Sequence, residues 1–144
     1  MWFWKKKEEA KAVISFILTL AVLSAAFLFC KFSLPQGEKA EYYLHRASSQ
    51  AKIETDLLPE EFLILEGESV TYRAEDGAAF AKTIMEKLRA RVRVRESACG
   101  VESYYCYSPA FASFVVVDGE KVNLHLAVGE GFVKVGTPLV FGGF

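Results

Sequence analysis

Two apolar runs joined by a turn dipeptide decide the fold of this chain, and they read FVVVDGEKVNLHLAV over residues 114–128. The dipeptide Asp118-Gly119 tolerates the positive φ angles that a tight hairpin turn requires. The flanking runs, residues 114–117 and 121–128, are rich in the β-branched and apolar side chains that favour strands. The segment therefore predicts an antiparallel β-hairpin.

Further strands are predicted on both sides of this hairpin. Residues 91–95 alternate arginine with valine, a period of two that places the valines on one sheet face and the arginines on the other. Runs at 62–65 and 70–73 form either a short hairpin or one bent strand, which periodicity alone does not decide. After the hairpin, glycines separate two more apolar runs, at 132–135 and 139–141.

Two helices are predicted in the same part of the chain. Asp76 precedes apolar residues at helical spacing, and its carboxylate can accept the unpaired backbone N–H groups of a first turn, which predicts a helix over residues 77–89. An earlier amphipathic helix is predicted from apolar residues at helical spacing, namely Ala40, Tyr43, Leu44, Ala47 and Ala51. This order of elements predicts an α+β domain in which two helices pack on one face of an antiparallel sheet.

An uncharged apolar run of 19 residues, 12–30, lies near the N-terminus. At about 1.5 Å of helical rise per residue it spans about 28 Å, close to the hydrocarbon thickness of a bilayer. Lysines within residues 1–11 resist translocation, so this segment is expected to stay in the cytoplasm and residues 36–144 to lie outside it. We expect an uncleaved signal anchor, because the apolar run continues beyond Phe27. The alternative is a signal peptide cleaved before Phe27, which would release the same domain.

The expected extracytoplasmic domain, residues 36–144, is acidic. It contains 12 Lys and Arg against 16 Asp and Glu, a formal charge of −4. This balance argues against generic nucleic-acid binding. Placement outside the cytoplasm favours partners in the cell envelope, either a protein or an anionic polymer such as a teichoic acid.

The C-terminal part of the chain resembles the YwmB family. The resemblance rests on the order strand, helix and several strands, and on the stretches VNLHLAV at 122–128 and VGTPLVF at 135–141. That family comprises exported proteins of Gram-positive bacteria whose fold resembles repeats of the TATA-box-binding protein, and its biochemical role is not established. The resemblance covers residues 60–144 and implies that fold, but neither DNA binding nor catalytic residues. The chain is shorter than the family pattern, by up to a whole domain.

Candidate catalytic groups are few. The two histidines are His45, on the first predicted helix, and His125, whose alternation with two leucines predicts a solvent-side or simple structural position. The sequence has no nucleophile-elbow, zinc-helix, phosphate-loop or Cys-x-x-Cys motif, so we expect no metal and no cofactor. We expect a non-enzymatic binding module. The alternative is a small cell-wall hydrolase or transferase that uses His125 with Glu102 or Asp118.

Cys99 and Cys106 both fall in the expected extracytoplasmic part, where a disulfide can persist. Six residues separate them. A bridge would stabilise the domain by about 2–3 kcal/mol if the flanking strands brought the two Cα atoms within about 7 Å. We predict this disulfide, and the alternative is two buried free thiols.

A row of arginines is the candidate contact for an anionic partner, because their planar donor forks match phosphates and carboxylates. The row is Arg89, Arg91, Arg93 and Arg95. Three of them are predicted to share a strand face, and their alternative role is pairing with glutamates on neighbouring strands. An aromatic run could stack on sugars, although burial in the sheet and turn packing favour a structural role; it comprises Tyr104, Tyr105, Tyr107 and Phe111.

A single repeat of a fold that usually occurs in pairs leaves an edge strand with unpaired backbone groups. A second copy of the chain, or another envelope protein, is expected to pair with this edge. The alternative is a monomer whose edge is protected by the tail around Gly136, Pro138 and Gly142.

Overall fold

The computed structural model describes the residues 2–31, 34–44, 52–56, 58 and 61–140, with the backbone alone at 2–8, 27–31, 52–54 and 62–63. The chain divides into two compact units, Met1–Lys31 and Phe32–Phe144.

The first unit is a single helix, α1, which spans Trp2–Lys31. Its window Glu9–Ala26 has a mean hydropathy of 1.7, and none of the window is buried inside the protein. By length and composition this helix can cross a membrane. A signal sequence has the same properties, so the structure leaves both alternatives for this segment open.

The second unit is an α+β domain. Its strands are β1 Lys39–Leu44, β2 Lys52–Glu54, β3 Leu65–Arg73, β4 Arg91–Ala98, β5 Val101–Tyr107, β6 Val115–Val117, β7 Glu120–Val122, β8 Leu124–Gly129 and β9 Phe132–Thr137. A short 3-10 helix, Glu61–Ile64, precedes β3, and helix α2, Gly77–Lys87, follows it. Seven strands form one antiparallel sheet in the order β2-β1-β3-β9-β8-β5-β4, while β6 and β7 form a separate two-stranded sheet.

The predicted hairpin is confirmed. Val115 pairs with Val122 and Val117 with Glu120, in the antiparallel sense. Asp118 and Gly119 both have positive φ angles, of 49° and 81°, as a two-residue hairpin turn requires. The predicted strand over 121–128 is divided at Asn123, where β7 ends and β8 begins.

The other elements follow local signals in most places. Of the two runs around Glu66-Gly67-Glu68, the run 70–73 lies in β3, whereas the run 62–65 lies in the 3-10 helix Glu61–Ile64 except for Leu65, where β3 begins. The predicted helix over 77–89 is confirmed as α2, although it ends at Lys87. Its cap is as predicted: the Asp76 carboxylate accepts a hydrogen bond from the Ala79 N–H at 2.9 Å.

The earlier predicted helix is wrong where the structure describes it. Ala40, Tyr43 and Leu44 lie in strand β1, which pairs with β3. Tyr43 and Leu44 are successive residues of the strand, so their side chains point to opposite faces, and both are buried. Two buried faces produce the same apolar spacing as one helix face. Ala47 and Ala51 lie outside the described residues.

One helix, α2, packs on the main sheet in the described part of the chain, rather than the predicted two. It covers the face of the sheet that carries Val70, Leu124, Leu126, Val133 and Val135. Ala81 and Ile84 are the buried residues of the helix and complete this core. We call this side of the sheet the helix face and the other side the open face.

The described part of the tail, which reaches Val140, lies over the middle of the sheet rather than along an edge. Gly136 lies within β9, paired with Ser69 on one side and His125 on the other, in the middle of the sheet. A Cβ at Gly136 would lie 2.5 Å from the Leu139 carbonyl oxygen, so the chain after β9 folds back over the open face. Gly142 lies outside the described residues. The outer strand β4 is flanked on one side only in the described sheet, and whether a partner pairs with it stays a prediction.

Asn123 ties the hairpin to the main sheet. Its side chain is completely buried. Its Oδ1 accepts from the Ser108 N–H at 2.7 Å, and its Nδ2 donates to the carbonyls of Ser108 and Phe111 at 2.7 and 2.9 Å. Its backbone N–H also bonds the Cys106 carbonyl at 3.0 Å, which continues the pairing beside β5. This one side chain therefore satisfies three backbone groups of the loop after β5.

The substitution Asn123→Ala is expected to destabilise the domain by about 3 kcal/mol, because it leaves three loop groups without their partners. Urea unfolding of the full chain in detergent, monitored by near-ultraviolet circular dichroism of the tyrosines, measures this loss. The matched control is Thr83→Ala, whose exposed hydroxyl bonds only the Ala79 carbonyl of its own helix. It should change stability by less than about 0.5 kcal/mol. Equal effects of the two variants would contradict the structural role of Asn123.

Candidate functional site

A groove lies between the outer strand β4 and the β6–β7 hairpin, and we call it the basic groove. It has a volume of about 320 Å³ and is lined by Arg93, Tyr107, Gly119, Glu120 and Lys121. Strand β5 supplies its aromatic wall, and the tight turn at Asp118-Gly119 places the hairpin residues opposite the arginine.

Cations outnumber carboxylates around the basic groove. Nη1 of Arg93 lies 3.8 Å from Oε2 of Glu120, a long ion pair between side chains that are both about half exposed. Such a pair contributes little stability, so Arg93 can exchange Glu120 for another anion at little cost. Nζ of Lys121 lies 4.5 Å from the centre of the Phe114 ring. Two cations, Arg93 and Lys121, and one carboxylate, Glu120, thus line the groove, and this excess of positive charge suits an anion.

A β-bulge divides the predicted arginine row between the two faces of the sheet. The register of β4 on β5 shifts around Arg93. The Arg93 guanidinium lies 6.0 Å from the Tyr107 ring centre, whereas that of Arg95 lies 5.0 Å from the Tyr104 ring centre. Tyr104 and Tyr107 are three residues apart on β5, so their side chains point to opposite faces of the sheet. The prediction that Arg91, Arg93 and Arg95 share one face is therefore wrong, because the extra residue of a bulge reverses the alternation.

Arg95 takes the alternative role predicted for the row. Its Nη2 donates to Oε2 of Glu102 at 3.0 Å and to the Tyr104 hydroxyl at 3.1 Å. The hydrogen bond from Tyr104 lowers the pKa of the Glu102 carboxyl most, and the hydrogen bond from Arg95 lowers it further. Arg89 is exposed in the turn after α2, with a φ of 50°. Arg93 is thus the member of the row that lines the basic groove, while Arg91 pairs with Tyr107 in the register of β4 on β5.

The predicted aromatic run also divides. Tyr107 lines the basic groove. Tyr104 packs against the core on the helix face, and Phe111 is buried in that core. Tyr105 stacks on His125 at a ring-centre distance of 4.3 Å on the open face. A continuous sugar-stacking surface is therefore not formed, and only Tyr107 presents its ring to the basic groove.

The predicted disulfide is not formed, because Cys99 and Cys106 are both free thiols. Cys99 is exposed in the turn between β4 and β5, whereas Cys106 is completely buried near the far end of β5. At about 3.3 Å per residue, the strand carries Cys106 about 17 Å from Val101, far beyond the reach of a bridge. Burial raises the pKa of the Cys106 thiol to about 12.

His125 is buried on the open face rather than exposed to solvent. It is 4% exposed, and its Nδ1 accepts a hydrogen bond from the Val140 N–H at 3.2 Å. Nδ1 must therefore be unprotonated, which places the proton of the neutral ring on Nε2. Burial lowers the pKa of the imidazole to about 4, and Nε2 has no hydrogen-bond partner among the residues that the structure describes. The structural role expected for this histidine is retained, with a different position.

The structure does not bring together the histidine and glutamate of the enzymatic alternative. On β5, Tyr105 contacts His125 on the open face, while Glu102 bonds Tyr104 on the helix face. The sheet therefore separates His125 from Glu102. Asp118 lies exposed in the hairpin turn. His45 lies outside the described residues, and among those described no group of three metal-binding side chains comes together.

Glu68 is a second buried titratable group. It lies on the helix face of β3, two residues before Val70, and is 6% exposed. Burial raises the pKa of its carboxyl to about 7, although the hydrogen bond that Oε1 accepts from the Leu34 N–H at 3.1 Å opposes this shift. A carboxyl with this pKa is partly protonated at neutral pH.

Comparison with known proteins adds no relative: no family model, no curated protein and no solved structure matches the chain.

Sequence reasoning missed Glu120 and Lys121 as site residues. The hairpin that carries them was predicted, but its position beside β4 depends on the buried side chain of Asn123. No local sequence pattern predicts that long-range contact. The strand and the hairpin that form the basic groove were therefore each predictable, but their proximity was not.

The two buried titratable groups should give opposite pH dependences. A carboxyl with a raised pKa binds more protons when folded, so Glu68 makes stability fall as pH rises from about 4.5 to 7. A histidine with a lowered pKa binds fewer, so His125 makes stability rise from about pH 4 to 6.5. Glu68→Gln should remove the first effect and stabilise the domain at pH 8 by up to about 3 kcal/mol.

Urea unfolding at half-unit intervals from pH 4 to 8 measures these profiles. The matched variant is His125→Gln, in which stability should instead fall steadily between pH 4.5 and 7, whatever its absolute value. An unchanged profile in Glu68→Gln would show that this carboxyl is ionised in the folded protein at ordinary pH.

Proposed function

We propose that this chain is a membrane-anchored, non-enzymatic binding module of the cell envelope, whose basic groove holds an anionic polymer outside the cytoplasm. The observation that carries the proposal is the excess of cations at the basic groove on an otherwise acidic domain.

The contrast in charge supports selective placement of the polymer. A polyanion is repelled by a domain of formal charge −4, so its attraction is confined to a region where positive charge is concentrated. Arg93 and Lys121 approach the groove from different elements and can contact successive charges of one polymer. Tyr107 offers an apolar surface between them for the uncharged part of a repeating unit.

The apolar helix α1 and the lysines before it support anchoring with the domain outside the cytoplasm. The resemblance to the YwmB family belongs to the same proposal. The order of the elements supports this resemblance. Strand β3 is followed by α2 and then by β4, β5, β8 and β9, which lie side by side in the sheet so that β9 pairs with β3. A TATA-box-binding-protein-like arrangement is the fold we propose on this basis.

Topology provides the first test. A reporter fused to the C-terminus that works only outside the cytoplasm should be active, and one that works only in the cytoplasm should be silent, because the lysine cluster holds the N-terminus inside. The opposite pattern would contradict the proposed location of the domain outside the cytoplasm. Moving the lysines to the other end of the apolar run should reverse both results.

Binding provides the second test. We expect the full chain in detergent to bind a synthetic poly(glycerol phosphate), measured by isothermal titration calorimetry at low salt, and to ignore neutral dextran. The double variant Arg93→Gln, Lys121→Gln should weaken binding about tenfold, which corresponds to about 1.4 kcal/mol. Added salt should weaken binding as well, because the contacts are electrostatic.

The matched control carries two equal charge changes elsewhere, Lys82→Gln and Lys87→Gln on the exposed side of α2. It should alter affinity less than about twofold if the basic groove is the site. Equal losses in the two double variants would show nonspecific attraction, and absence of binding by the unaltered chain would reject the polymer. Tighter binding of polyglutamate than of poly(glycerol phosphate) would point to an acidic protein instead.

A further inference from the structure

A second cleft lies on the open face, at the end of the β4–β5 hairpin farther from the basic groove. It has a volume of about 440 Å³, and its lining includes Glu96, Cys99, Ser103, Tyr105 and Phe132. We call it the acidic cleft. The proposed polymer binding makes no use of it.

Two aromatic rings form walls of the acidic cleft, and both are held in place. Tyr105 stacks on the buried ring of His125 at 4.3 Å with an interplanar angle of 17°. Phe132 lies across β8: a Cβ at Gly129 would clash with its ring, so only glycine leaves room for the ring there. Ser103, opposite Glu96 in the register, lies between these walls.

Glu96 gives the acidic cleft its charge. Its Oε2 accepts a hydrogen bond from the Tyr105 hydroxyl at 3.1 Å, which leaves Oε1 for another donor. Within the part of the chain that the structure describes, no lysine or arginine pairs with Glu96. The neighbouring Glu102, on the other face of the same hairpin, is instead occupied by Arg95. The acidic cleft therefore has an uncompensated carboxylate beside two fixed aromatic rings.

We propose that the acidic cleft binds a cationic side chain, lysine or arginine, presented by a partner polypeptide. The aliphatic stem of such a side chain can pack against Phe132 and Tyr105, and its charged end can reach Glu96. The negative charge of the whole domain favours a basic partner over an acidic one. The combination of rings and carboxylate distinguishes this occupant from a neutral apolar group.

The test uses Cys99, whose exposed thiol lines the acidic cleft and reports on its occupancy. The full chain with Cys30→Ser is alkylated in detergent with and without the peptide acetyl-Ala-Ala-Lys-Ala-Ala-amide. For a dissociation constant of about 1 mM, about 5 mM peptide should slow alkylation of Cys99 about sixfold, because only about one sixth of the clefts stay empty. The same peptide with norleucine in place of lysine should slow it less than about 1.5-fold, because it lacks the charge.

Two variants locate the effect. Glu96→Gln keeps an acceptor for the Tyr105 hydroxyl but removes the charge, and it should abolish the difference between the two peptides. Glu102→Gln removes a carboxylate from the opposite face and should leave the difference intact. Cys106 should stay unlabelled in every variant, since it is buried, and mass spectrometry of the alkylated chain thereby confirms that each one is folded.

Several results would overturn the proposal. Equal slowing by the lysine and norleucine peptides would mean that the acidic cleft recognises apolar surface rather than charge. No slowing by any peptide, or full protection retained in Glu96→Gln, would reject the site. Equal protection by butylammonium would assign the cleft to a small amine and not to a polypeptide. None of these results bears on the basic groove, whose test uses different residues and a different ligand.

Discussion

The packing of α2 onto the central strands β8 and β9 is the interaction on which the rest of the domain depends. Leu124 and Leu126 flank His125 on β8, Val133 and Val135 flank Lys134 on β9, and these four apolar side chains are completely buried. Burial of each such side chain contributes about 1.5–3 kcal/mol. Because the two strands lie in the interior of the sheet order, the position of every outer strand is set by its pairing to this centre.

That arrangement leaves polar residues of the central strands on the open face, where they are also buried. Nζ of Lys134 lies 2.6 Å from Glu41, and the Tyr43 hydroxyl lies 3.0 Å from that of Ser69. Burial alone would raise the pKa of the Glu41 carboxyl, but the hydrogen bonds from Lys134 and from Lys39 lower it. Buried polar groups are tolerated when they have partners. The open face is thus a fixed polar layer, and both grooves are built at its β4–β5 end.

The sequence predicted correctly those elements whose formation depends on interactions between residues close together in the chain. The Asp118-Gly119 turn and the Asp76 cap each act within a few residues, so the hairpin and α2 were predictable. The strand β1 was mistaken for a helix because burial on both faces depends on chain segments far away in sequence. The bulge around Arg93 follows from pairing with β5, and nothing in the alternation of arginine and valine encodes it.

The candidate site was predictable to the same degree. Arg91 and Arg93 were identified by residue type, and their use by an anionic partner stays a prediction. Arg95 has the glutamate partner that the alternative anticipated. The expected bridge between Cys99 and Cys106 failed because closeness in sequence is not closeness in space along an extended strand. Six intervening residues can close a loop only if the chain turns back, and β5 runs straight between these two positions.

The bonds of Asn123 have a consequence for recognition. They join the loop after β5 to the base of the hairpin, so the hairpin wall of the basic groove is continuous with the packed interior. A wall held in this way loses little conformational freedom when a ligand arrives, and the entropy of ordering it has already been spent in folding. Modest contacts then suffice for association. The same rigidity fixes the spacing between the charges on the two sides, so the proposed binding of a polyanion would depend on the distance between its successive charges.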